Sequence, residues 1–251
     1  MSAPPSTPPR AGLGSTGLAF ARGDGPLVAV CGLGAGSGAT TLALALARGA
    51  AAESSAPVLL CALDPADDRL AARVGAASGR SLAELARGVE AMGAPFATLE
   101  DGLRVIATTA RAALPAQPDE LSRALGALRR AHGLTVVDAG RLDDAAAPAL
   151  AAATHVVWTA AAEPPALAAV TRLAHDPPPA AAPLLASELL ALVATRPAHD
   201  PPPLRELAEQ AAIRCRRLVL VPHDPQLTAA PRRADSRTAL AAIGTFLDAS
   251  R

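Results

Sequence analysis

Short apolar runs rich in valine and leucine recur along the chain, and between them apolar residues fall at the three-to-four spacing of helices. The runs Leu27–Cys31, Val58–Leu63, Leu103–Thr108, Leu134–Asp138, His155–Thr159, Leu189–Thr195 and Arg217–Val221 read as strands. They are apolar throughout instead of alternating, which suits strands buried on both faces of a mostly parallel sheet. Helices are expected over Thr40–Ala51, Ser81–Gly88, Asp119–His132, Asp144–Ala153, Pro165–His175, Leu204–Ala212 and Asp235–Asp248. Ser81 followed by Glu84 is a capping-box pattern at a helix start. Proline clusters at Pro177–Pro179 and Pro201–Pro203 mark surface loops. Residues 1–25, dense in proline, serine and glycine, read as a disordered tail ahead of one domain over 26–251. Strands alternating with helices over this length predict an α/β, doubly wound, mostly parallel sheet. Its site should lie at the carboxyl ends of the strands.

Composition narrows the picture. Of 251 residues, 51% are apolar and 2% aromatic, so the core is aliphatic. Arginine and lysine number 23 against 23 acidic residues, and this neutrality gives no reason to expect nucleic acid or an anionic membrane as partner. Every one of those basic residues is arginine, so a lysine missing from a site cannot come from elsewhere in the chain. Cys31, Cys61 and Cys215 lie in apolar, strand-like surroundings and not at metal-ligand spacing, as expected of buried, reduced thiols in a cytoplasmic protein. No apolar run approaches the roughly 20 residues of a membrane span, and the N-terminus lacks the pattern of a signal peptide.

The chemistry centres on Val28–Ala47, VAVCGLGAGSGATTLALALA. A strand feeding a glycine-rich turn into a helix start makes a cradle for phosphate, where backbone N–H groups converge on the helix dipole. In the pattern G-x-x-x-x-G-K-[ST], Gly38 takes the second glycine and Thr40 the hydroxyl, while Ala39 stands at the lysine and Leu33 at the first glycine. Gly34, Ala35, Gly36, Ser37, Gly38, Ala39, Thr40 and Thr41 are the expected cradle. Two further carboxylates end apolar runs: Asp64 in VLLCALDP and Asp138 in LTVVDAGR. Each has a plain alternative, Asp64 as a turn residue before Pro65 and Asp138 as a partner for loop N–H groups. Thr40 likewise has an alternative as a helix cap. The late run LVLVPHDP carries His223 into a loop of the kind that borders a bound base, although an exposed loop histidine with no ligand role is the favoured reading.

Taken in this order, GLGAGSGATTLALALA, VLLCALDP and LTVVDAGR resemble the ParA/MinD group of P-loop ATPases over roughly residues 26–249. Within the group the chain looks most like the CpaE/TadZ branch, whose second motif ends in D-x-G-R as Asp138–Arg141 does. The resemblance implies ATP and Mg2+ as cofactors, with Asp64 at the catalytic water and Thr40 and Asp138 at the metal. It also implies homodimers that position a pilus, secretion or division apparatus, cytoplasmic or peripheral at the inner face of a membrane. Gly34 and Ala39 stand where the group has its two lysines, and Thr195–Arg196 where it often has the Asn-Arg that reads adenine. Arg48, Arg69 and Arg141 are the candidates for a substitute cation. The amphipathic Ala234–Arg251 invites comparison with the terminal membrane helix of MinD proteins, but Asp235 and Asp248 dilute its charge, and packing against the sheet is the favoured reading. The expected function is a positioning or scaffold protein with weak or lost ATP hydrolysis. The alternatives are a working ATP-dependent switch and a small-molecule enzyme on the same fold.

Overall fold

The computed structural model describes residues 25–63, 69–78, 80–88, 96–107, 116–163, 168–170, 172–173, 188–193, 217–221 and 223. Several expectations fall outside them: the tail before Gly25, Asp64, Thr195–Arg196, Cys215, both proline clusters, and the helices expected over Leu204–Ala212 and Asp235–Asp248.

The chain runs β1 (Leu27–Gly32), α1 (Ala39–Glu53), β2 (Val58–Ala62), α2 (Arg69–Val74), α3 (Leu82–Ala86), β3 (Ala97–Thr98), β4 (Arg104–Ile106) and α4 (Pro118–Ala131). It continues through β5 (Leu134–Arg141), a 3-10 turn (Asp144–Ala146), α5 (Ala147–Ala152), β6 (His155–Ala161), β7 (Glu188–Val193) and β8 (Arg217–Val221). The strands form one sheet in the order β3-β4-β2-β5-β1-β6-β7-β8. All neighbours are parallel except β3, which runs antiparallel to β4. The expected doubly wound, mostly parallel α/β sheet is therefore the fold.

The two faces of the sheet are buried under different helices. Val28, Val30, Val58, Leu60 and Val136 pack with Leu42 and Leu46 of α1 and Leu70 of α2. Leu27, Ala29, Cys31, Leu59 and Val137 pack with Leu82 of α3, Leu125 of α4 and Leu150 of α5. Successive side chains of β1 thus alternate between the two layers, as a strand's geometry requires. Complete burial of a leucine such as Leu125 contributes roughly 1.5–3 kcal/mol.

Local chemistry sets the helix ends. Ser81 caps α3 in the expected box, with Glu84 N–H donating to Ser81 Oγ at 3.1 Å and Ser81 N–H donating to Glu84 Oε2 at 2.7 Å. Helix α4 begins one residue earlier than expected because Pro118 fits the first helical turn and Gln117 forms a second box with Glu120. The helix expected over Asp144–Ala153 opens as a 3-10 turn, with Asp143 Oδ1 accepting the Ala145 N–H at 3.0 Å. Helix α2 and the two-residue β3 are elements the periodicity did not reveal. The six residues of α2 span too few turns to show a period.

Cys31 and Cys61 are buried free thiols, as expected. Burial pushes each up to about 12, with the negative charge of Asp138 adding to both and that of Asp143 to Cys31.

Candidate functional site

The chain leaves β1 towards α1 on one face of the sheet and leaves β5 towards α5 on the other. These two strands are neighbours, so a crevice opens at their carboxyl ends, where open α/β sheets take ligands. The glycine-rich loop lies at this place.

Main-chain bonds tie the loop to the sheet. Leu33 N–H donates to Thr159 O at 2.8 Å, and Leu142 N–H donates to Gly32 O at 2.9 Å, so β6 and the end of β5 hold the loop's entry from both sides. Gly36 (φ 71°) and Gly38 (φ 84°) adopt the left-handed conformation that glycine reaches without strain. Gly38 is the N-cap of α1 and makes no side-chain cap bond, and no acidic residue sits in the first turn. Thr40, read in the sequence as a possible cap, is therefore not one; it sits inside the first turn with little exposure. Leu42 N–H closes the first helical bond to Gly38 O at 2.9 Å. The N–H groups of Ala39, Thr40 and Thr41 precede it and have no acceptor within the helix.

This geometry suits a phosphate group in shape. A Cβ built on Gly34 or Gly36 would meet nothing within 4 Å, so the space over the loop is open. Left-handed glycines, orphan N–H groups and a helix N-terminus with no acidic side chain of its own line that space. In charge the fit is incomplete: Ala39 is buried in the layer between α1 and the sheet and brings no cation.

Gly32 lies directly beneath the loop. A Cβ there would collide with the Ser37 hydroxyl and approach Gly140 O to 3.2 Å. Ser37 is buried, and fully buried Thr159 on β6 donates to its Oγ at 3.3 Å. Thr159 is a site residue that sequence reading missed. Its partner is 122 positions away, and nothing local to a strand threonine signals such a bond.

Asp138 sits in β5 opposite Val30 of β1 and Ala62 of β2. It is 5% exposed, and its Oδ1 accepts the Gly140 N–H at 3.2 Å, the loop-satisfying role anticipated as its alternative. Leu63 N–H donates to Asp138 O at 2.9 Å, which brings the end of β2 beside it. Asp64 is the next residue and lies outside the described ones.

The candidate substitute arginines separate clearly. Arg48 lies nine residues beyond Ala39, about 14 Å along α1. Its Nε faces Asp101 Oδ2 at 3.4 Å, so it is removed from the loop. Arg69 opens α2. Arg141 is exposed at the end of β5, in register with Gly32. His223 follows β8, three strands from β1 and therefore about 14 Å across the sheet from the loop.

No known family's sequence profile matches the chain, and no curated protein matches it in sequence. Solved structures do match in fold. The cell division ATPase MinD of Pyrococcus furiosus superimposes with a TM-score of 0.72 at 17% identity, covering 90% of this chain and 100% of that one. McdA of Cyanothece in complex with ATP gives 0.68 at 15% identity, covering 90% and 97%. A ParA family ATPase of Chlorobium tepidum gives 0.64 at 14%, covering 86% and 97%. At these identities the likeness is one of fold, and the fold is that of the MinD and ParA P-loop ATPases.

Proposed function

We propose that the chain is a MinD/ParA-like positioning or scaffold protein, akin to the CpaE/TadZ branch, that holds nucleotide phosphates with weak or lost hydrolysis. It acts as a homodimer in placing a pilus, secretion or division apparatus. One observation carries this reading: left-handed Gly36 and Gly38 and an open space over the loop suit a phosphate, while buried Ala39 stands where the pattern has its lysine. A lost charge-assisted hydrogen bond weakens ground-state binding by roughly 1.5–3 kcal/mol. Transition-state stabilisation suffers further, because phosphoryl transfer depends on charge placed at the developing oxygens.

The neighbours support the nucleotide part. One solved MinD, from Pyrococcus horikoshii, is complexed with Mg-ADP and described as a septum site-determining protein. Here Thr40 and Asp138 are the residues that would hold a magnesium ion, whose charge would offset that of the phosphates. The chain's own contribution is to present the N–H groups of Ala39, Thr40 and Thr41 and to fix the loop through Ser37 and Thr159. The same retained positions favour the rival reading, a working ATP-dependent switch.

Calorimetry of the full chain with ATP and ADP in magnesium, paired with a turnover assay, separates the two. The proposal expects binding tighter than about 1 mM, which is about 4 kcal/mol of affinity, with turnover no faster than in a Gly36→Val variant. Turnover well above that control and abolished by Asp64→Ala would replace the scaffold with the switch. An absence of binding up to that concentration would remove nucleotide from the proposal.

A further inference from the structure

The pairing of β1 with β5 is irregular at one point, and the irregularity bears on the missing cation. Val30 pairs with Asp138, but Gly32 pairs with Arg141, so β5 advances three residues while β1 advances two. Ala139 and Gly140 together oppose Cys31, which is a β-bulge in a parallel pair. Gly140 adopts φ 68°, and its N–H is held by Asp138 Oδ1. Bulges of this kind re-aim the side chains that follow them.

The consequence follows from the period of a strand. Val28, Val30 and Val136 belong to the α1 layer, while Ala29, Cys31, Val137 and Ala139 belong to the opposite one. By strict alternation from Val137 and Ala139, Arg141 would fall on the opposite layer, away from the loop. The extra residue shifts it by one place and pairs it with Gly32, whose missing side chain would point into Ser37 of the loop. Paired residues of neighbouring strands share a face. On the other side of β1, Thr159 pairs with Gly32 as well and its hydroxyl reaches Ser37. A row Arg141–Gly32–Thr159 therefore runs across β5, β1 and β6 directly under the loop. Arg141 stands one strand spacing, about 4.8 Å, from the residue on which the loop rests.

We infer that Arg141 supplies the cation that Ala39 does not, binding the di- or triphosphate of a nucleotide from the sheet side of the loop. Among the described residues Arg141 makes no ion pair, and it is exposed at the carboxyl ends of the strands. The nearby Asp143 turns its Oδ1 to the Ala145 N–H. A planar guanidinium offers paired donors that match phosphate oxygens. This inference rests on the proposed nucleotide binding. It gives Asp138 a second part as a positioning residue, since its bond to Gly140 sustains the bulge.

The test is calorimetric titration of the full chain with ADP, ATP and inorganic triphosphate, comparing wild type with Arg141→Ala, Arg141→Lys and Arg123→Ala. Arg123 is exposed on α4, on the other face of the sheet, and controls for net charge. Arg141→Ala should weaken binding of all three ligands by about tenfold or more, the loss of one charge-assisted contact. Arg141→Lys should fall between, Arg123→Ala should match wild type, and thermal melting should show every variant folded. Equal binding by wild type and Arg141→Ala, or an equal loss in Arg123→Ala, would overturn the inference and leave nucleotide binding intact. A wild type that binds none of the three would overturn both.

Discussion

The contact between Gly32 and Ser37 yields the sharpest test of how the loop is held. Replacing Gly32 by alanine places a methyl where the Ser37 hydroxyl lies, with Gly140 O at 3.2 Å and Ser37 Cβ at 3.4 Å. The hydroxyl must rotate away and release Thr159, whose own Oγ1 is fully buried. Ser37→Ala removes that bond without a clash and should cost about 0.5–1.5 kcal/mol. Gly32→Ala removes the same bond and adds overpacking, for about 1–3 kcal/mol in all. In the double variant the new methyl no longer meets a hydroxyl, so the two changes overlap. The pair should cost no more than Gly32→Ala alone, a coupling of roughly 1 kcal/mol. For a chain of this size each kilocalorie shifts Tm by about 2–4 °C. Urea unfolding can be followed through Trp158, the single tryptophan, which is fully buried on β6 next to Thr159. Additive losses, or a silent Gly32→Ala, would refute the packing of the loop on Gly32.

Two other outcomes follow from groups whose titration the fold alters. Burial lowers His132, with the Arg104 guanidinium adding to the effect against the opposing bond to Leu128 O, and burial lowers His155. His132 Nδ1 lies 2.8 Å from Leu128 O and its Nε2 3.4 Å from Arg104 Nη1, an arrangement that suits a neutral ring with its proton on Nδ1. Above the unfolded value of about 6.5 both states are neutral and stability is full. As pH falls through that value the unfolded chain binds protons that the folded chain does not, so stability falls. Urea midpoints should drop between pH 7.5 and 5.5, and less so in His132→Gln; a flat profile would count against the assignment. Cys31 and Cys61, pushed up to about 12, should resist a thiol-directed disulfide reagent at pH 8 in the native protein and react on unfolding. Rapid native labelling at either position, mapped by mass spectrometry, would contradict their burial.

The fold was largely legible because its signals are local. Seven of the eight strands were expected from runs whose apolar residues leave no polar face, and the turn from β1 into α1 was marked by glycines at Gly36 and Gly38 that only a left-handed backbone explains. Ser81 and Glu84 announced a helix start because both halves of the box lie within four residues. That Ala39 stands where the pattern G-x-x-x-x-G-K-[ST] has lysine could also be read directly from the spacing.

Other features arise only when distant segments meet. Sequence proximity to the motifs made Arg48 and Arg141 equal candidates, yet one faces Asp101 and the other lies in register with Gly32. The expected end of β5 at Asp138 gave no hint that the strand continues through a bulge to Arg141. Ser37 and Thr159 had no visible relation across a separation of 122 positions. The strand order, with β5 inserted between β1 and β2, decided which residues stand side by side at the loop. The physical reason is that periodicity records which face of its own element a residue occupies. Register between strands, and any single-residue slip in it, is fixed by hydrogen bonds and packing between segments far apart in the chain. Such a slip reverses the face of every residue that follows, and here it carries Arg141 to the side of the loop.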